Sequence, residues 1–206
     1  QQQRDEASVE PFPDNETIKG ILRRIVQLLK RHRDVYFLDI EAEVAPISII
    51  ITTLAMRAYE YCVVNHVFDD EMDVIVETIR MMPHFIDRVY ENGQSLYVVR
   101  NETTDGENFA ERWNEQPARV EAFKNWHQAA LNDFSQIRDA VGLDQIARRL
   151  ERPFGKNIAD SVIKKRTDSI SEARGAGSLY IAPAVGLTLS SQAAATPVPR
   201  NDFFGD

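Results

Sequence analysis

The run PISIIITTLAMRAYEYCVV, Pro46 to Val64, is the most apolar stretch of the chain and constrains its fold more than any other feature. A membrane-spanning helix needs roughly 18 or more consecutive apolar residues, and here Arg57 and Glu60 interrupt the run after about ten. The stretch therefore reads as the buried helix of a packed domain. Leu54, Ala58, Tyr61 and Cys62 fall at helical spacing, and Ile50, Leu54, Tyr61 and Cys62 are expected to fill the interior. The β-branched residues Ile49 to Thr53 leave a strand start open.

The flanking segments carry the same helical period. Asp14 or Asn15 can cap a helix that runs to about Arg33, with Ile18, Leu22, Ile25, Leu28 and Leu29 on one face and the basic residues of LLKRHRD at its end. Residues 69–91 read as a third helix, acidic at its start, kinked or split at Pro83 and stopped by Gly93. SLYVV, Ser95 to Val99, is the one short extended segment. A turn with Asp105–Gly106 leads to a short helix carrying Phe109 and Trp113. Pro117 opens a helix to about Val141 whose stripe is Val120, Phe123, Trp126, Ala130, Phe134 and Ile137. Two more follow, Leu143 to Glu151, stopped by Pro153, and Lys156 to about Glu172.

These elements predict a mainly α fold, a helical bundle lobe over residues 14–174. Residues 1–13, polar with Pro11 and Pro13, read as a linker, and residues 175–206, rich in small residues and proline, as a flexible tail. The chain begins QQQRDEASVEPFPDN, without an initiator Met or a basic-then-apolar leader, and reads as a piece of something longer.

Composition narrows the function. A net charge of -8 provides no global attraction to nucleic acid or to an anionic membrane, so a phosphate contact must come from a local basic cluster. The single cysteine, Cys62, can form no disulfide within the chain, which suits a reducing, cytoplasmic setting, and it is expected to be a small buried hydrophobe.

Searches for standard catalytic patterns fail. The sequence has no P-loop, dinucleotide-type glycine motif or nucleophile elbow. His32, His66, His84 and His127 are scattered, with no pair at i and i+4 to hold zinc. Asp69, Asp70, Glu71 and Asp73 cluster, but acidic residues at a helix start are the simpler reading. No catalytic and no metal-binding residue is assigned. Lys30, Arg31, His32 and Arg33 form the basic cluster, and cations at a helix C-terminus are again the simpler reading. A helix opening after Pro46, however, offers free N–H groups and the hydroxyl of Ser48, which together suit a phosphate. If the first two helices pack together, Lys30 can meet that end. Ser48 as an ordinary N-cap is the plainer alternative.

Three segments in order, ILRRIVQLLKRHRDVYF, PISIIITTLAMRAY and ENFAERWNEQPARVEAFKNWHQAALNDF, resemble the C-terminal helical half of bacterial CD-NTases, the cyclic-GMP-AMP-synthase-like and oligoadenylate-synthase-like nucleotidyltransferases of anti-phage (CBASS) signalling. The resemblance covers about residues 15–172. It implies a cyclic oligonucleotide synthase that joins nucleoside triphosphates with loss of pyrophosphate. It also implies an N-terminal catalytic lobe, absent from these residues, whose Gly-Ser motif and acidic residues hold two Mg²⁺ ions; here Gly-Ser occurs only at Gly177–Ser178. In the helical half it places phosphate contacts at Lys30 and Ser48. The next position, aromatic in some relatives, is Ile49, so no base stacking is expected there. The ending PRNDFFGD is similar to tails that a ubiquitin-transfer-like partner enzyme conjugates through a C-terminal glycine; here Gly205 is followed by Asp206, a departure from that pattern. The alternative function is a non-catalytic helical interaction module whose C-terminal tail recruits, or is conjugated to, a partner.

Overall fold

Proline and a few polar side chains divide the chain into its helices. The structure, a computed structural model, describes residues 15–40, 42–104, 106–182, 186–189 and 195–199. The expected linker, residues 1–13, the expected cap Asp14, and the tail residues Gly205 and Asp206 lie outside the described residues. The architecture is mainly helical, as the periodicity predicts. The chain divides into two compact units, residues 1–131 and 132–206.

In the first unit, α1 (Asn15–Tyr36) outlasts the expected end at Arg33 by three residues. Turns and a short 3-10 segment (Ala42–Val44) lead to buried Pro46 and then to α2 (Ser48–Asn65), on which α1 packs. The open question at Ile49–Thr53 is settled as helix. Ile25 and Leu29 of α1 and Ile50, Ile51, Leu54, Ala55, Ala58 and Cys62 of α2 are buried and form the middle of this core. Burial of each large aliphatic side chain contributes about 1.5–3 kcal/mol. Tyr61, expected inside, is instead 41% exposed, and Tyr59 takes the buried place. The buried stripe follows Leu54, Ala58 and Cys62 at i, i+4 and i+8, so Tyr61 falls at its edge.

The third helix is shorter than expected. Asp70 caps α3 (Glu71–Met81), its carboxylate accepting from Met72 N–H at 2.6 Å. Pro83 splits the segment as predicted, and a 3-10 turn (Met82–Phe85) follows. Beyond it the helical reading fails. Asp87–Glu91 is a strand, β1, paired antiparallel with β2 (Gln94–Val98). Asn92 and Gly93, at φ 50° and 80°, form the two-residue turn between them. Positive φ at both positions is the geometry that matches strand twist, and Asn-Gly is the sequence that favours it.

Residues after β2 are tied down by side-chain amides. Asn108 Oδ1 accepts from Val99 N–H and Ala110 N–H, and its Nδ2 donates to the Tyr97 carbonyl. Asn114, in α4 (Glu111–Glu115), accepts from Tyr97 N–H at 2.7 Å and donates to Tyr97 C=O at 2.9 Å. One amide thus acts as a strand neighbour on the edge of β2 that β1 leaves open. Pro117 opens α5 (Pro117–Arg138), whose Val120, Phe123, Trp126 and Ala130 are buried as the stripe predicts. Trp126 meets buried His32 of α1 edge-on, with ring centroids 6.3 Å apart.

The second unit contains the end of α5, α6 (Leu143–Phe154) and α7 (Lys156–Ala176), the last two packing together as a helical pair. Pro153 does not stop α6, which ends one residue later, because a proline in the last turn removes few helical bonds. Phe154 meets Phe134 edge-on at 5.7 Å. Left-handed Gly177 (φ 70°) ends α7 with Ser178 N–H on the Ala173 carbonyl at 2.8 Å. Within the segment expected as a tail, the described residues include three short strands, β3 (Tyr180–Ala182), β4 (Gly186–Thr188) and β5 (Thr196–Pro197), ordered β4-β3-β5 and antiparallel.

Candidate functional site

The best-built polar arrangement outside the core joins the end of α1 to the start of α2. Ile47, extended at φ -68° and ψ 150°, is the N-cap of α2 and has no side-chain cap bond. Ser48 is the first helical residue, so its hydroxyl is not an ordinary N-cap. Backbone bonding starts at Ile50 and Ile51, both donating to the Ile47 carbonyl. The N–H groups of Ser48 and Ile49 precede those bonds and lie at the positive end of the helix dipole. Thr52 Oγ1 donates back to the Ser48 carbonyl at 2.8 Å, so the first threonine of the pair braces this turn. Ile49 is 42% exposed beside it.

Arg33 holds the junction closed. Its Nη1 donates to the Pro46 carbonyl at 3.0 Å and to Ser48 Oγ at 3.1 Å. Its Nε and Nη2 donate to Asp34 Oδ1 at 2.9 and 2.6 Å. Lys30 stands one helical turn earlier, half-buried, at the i, i+3 position that places it on the same side of α1. It makes no ion pair among the described residues. The chain's own partner for Ser48 is therefore Arg33. Residue-type reasoning missed it, although Arg33 lies in the same basic run and one turn beyond Lys30.

The other candidates have structural roles. Asp70 is a cap, and among the described residues no group of three or more His, Cys, Asp or Glu side chains could hold a metal ion. Burial, and secondarily Glu77, pushes the Cys62 thiol above its usual pKa against the opposing Thr78 hydroxyl, so it stays protonated near neutrality and is no nucleophile. Buried His127 hydrogen-bonds through Nε2 to the Ile79 carbonyl at 2.7 Å, and burial lowers its pKa. Arg57, which interrupts the apolar run, pairs with Glu102 at 2.9 Å and with the Arg100 carbonyl at 3.1 Å, fastening α2 to the residues after β2. An open hollow beside it is lined by Arg57, Glu60, Tyr61, Val64, Asn65, Phe85 and Glu102. No helix among the described residues is long and apolar enough to cross a membrane.

The described residues thus join the end of α1 to a helix start whose first N–H groups precede its backbone bonds. No protein-family model matches the chain. The chain is similar to a protein named c-di-GMP synthase from Roseivirga ehrenbergii, with 28% identity over 189 residues. That match covers 91% of this chain and 47% of the relative, so the chain spans about half the relative's length.

Proposed function

We propose that this chain is the C-terminal helical part of an enzyme that makes a cyclic dinucleotide from nucleoside triphosphates. The observation that carries the reading is the likeness to a c-di-GMP synthase along nearly the whole chain. The mainly helical architecture agrees with it. In this reading the start of α2 receives a triphosphate. Ser48 O–H and the first N–H groups of α2 bind phosphate oxygens, and Lys30 supplies unneutralised positive charge from the same side of α1. Bond formation belongs to the other part of the enzyme. The reading assigns Mg²⁺ to that other part as well. We extend the reading to enzymes of anti-phage signalling, on the strength of the three segments that resemble that family.

The test uses the full-length protein with radiolabelled GTP and ATP and Mg²⁺, with phosphatase-resistant cyclic product as the readout. Lys30→Ala and Ser48→Ala should each weaken binding of a non-hydrolysable GTP analogue by roughly tenfold, the scale of one charge-assisted hydrogen bond, without lowering thermal stability. Nucleotide affinity unchanged in both variants overturns the site. No cyclic product from any nucleotide pair overturns the activity.

A further inference from the structure

The Arg33 contact has a chemical consequence for Ser48. A guanidinium can only donate, so in the 3.1 Å contact Ser48 Oγ is the acceptor. The hydroxyl's own proton has no acceptor among the described residues. The guanidinium is itself fixed by donation to Pro46 and twice to Asp34, and the Arg33 side chain is only 17% exposed. It has little freedom to swing toward a ligand, and Asp34 offsets its charge.

We propose that Arg33 is a positioning residue that acts through Ser48. By donating to one lone pair of Oγ and anchoring the Pro46 carbonyl, it fixes the Ser48 rotamer. The O–H is left to donate to a phosphate oxygen over the first turn of α2. Asp34 orients the guanidinium for this task, and the phosphate's charge is met by Lys30. The inference rests on the reading that a triphosphate sits at this end, and it adds a residue which that reading does not include.

The experiment is a double-mutant cycle in the full-length protein, with a non-hydrolysable GTP analogue as the probe. Arg33→Met keeps the stem and removes every donor. It should weaken binding about fivefold and Ser48→Ala about tenfold, while the double variant binds no more weakly than Ser48→Ala alone. Effects that multiply show that Arg33 touches the ligand independently of Ser48 and overturn the proposal. Weakening by Ser48→Ala with none from Arg33→Met overturns the proposal and leaves the phosphate site standing. No weakening from either Ser48→Ala or Lys30→Ala removes the site and the proposal with it. Asp34→Asn, at a carboxylate 54% exposed, leaves packing intact and serves if Arg33→Met does not fold. It should weaken binding two- to threefold, roughly the scale of one weakened hydrogen bond, again without adding to Ser48→Ala; an additive effect overturns the proposal.

Discussion

Replacing His127 tests the packing around Pro83. Proline has no N–H, so the carbonyl of Ile79, four residues earlier, loses its ordinary helical donor. Met82 N–H supplies one replacement and His127 Nε2 the other, at 2.7 Å. A carbonyl only accepts, so Nε2 carries the proton and the neutral ring suffices. Burial lowers the His127 pKa from 6.5; the Ile79 hydrogen bond opposes the shift, and the charge of His84 adds to it. The unfolded chain then binds more protons than the folded one between the depressed folded value and 6.5. The stabilisation is complete above about pH 6.5 and is lost as pH falls below it, at about 1.4 kcal/mol for each unit of depression. His127→Phe keeps a ring against Phe123, which His127 stacks on at 6.0 Å, but removes the donor. The expected loss near neutrality is about 0.5–1.5 kcal/mol, the net worth of one hydrogen bond, because the Ile79 carbonyl keeps Met82 N–H. Urea unfolding followed by tryptophan fluorescence, with Trp126 one residue away, gives the wild-type–variant difference at each pH. That difference should shrink between about pH 7.5 and about pH 5.5, because only the wild type carries the titrating ring. A difference that stays constant or widens on acidification would refute the argument.

Two further substitutions test the β-hairpin region. Asn114→Leu removes the amide that satisfies both backbone groups of Tyr97. It should cost about 1–3 kcal/mol and speed amide exchange at Tyr97, and unchanged protection there would show that the amide is dispensable. Gly93→Ala places a side chain at φ 80°, where a Cβ meets nothing within 4 Å. Its cost is purely conformational, about 1–2 kcal/mol, and a neutral or raised unfolding midpoint would contradict the turn assignment.

The longer helices were legible because they carry apolar stripes bounded by proline, glycine or a capping residue. The hairpin was legible only in its second strand: the expected extended segment Ser95–Val99 overlaps β2, but β1 was read as helix. Met82, Phe85, Ile86 and Val89 continue the spacing of α3 at threes and fours, so a helical period persists into residues that pair as a strand. The decisive signal was Asn92–Gly93 between two five-residue segments, DRVYE and QSLYV, a two-residue turn that outweighs a weak period. The contribution of Asn108 and Asn114 had no signature in sequence, since an amide that completes a strand edge is defined only by what lies across from it. Pro153 misled in the opposite sense: its effect depends on how many helical bonds remain beyond it, which its position alone does not tell.

The same limit governs the candidate site. Resemblance places Lys30 and Ser48 there, and spacing is compatible with both, but side-chain assignment within a basic run turns on helical phase and on what each cation already holds. Arg33 is a turn from Lys30 and is saturated by Pro46, Ser48 and Asp34. Lys30 holds nothing among the described residues. A paired guanidinium attracts a distant anion weakly, whereas an unpaired ammonium does so at full charge. In the proposed site the two cations therefore divide the work. Lys30 draws the triphosphate in, and the arginine that looks interchangeable with it in sequence sets the direction of the hydroxyl that receives it. The division predicts that affinity lost with Lys30 should depend strongly on salt and affinity lost through Ser48 weakly, because only the first is a net-charge interaction. Equal salt dependence of the two losses, measured with the GTP analogue over a range of ionic strength, would reject it.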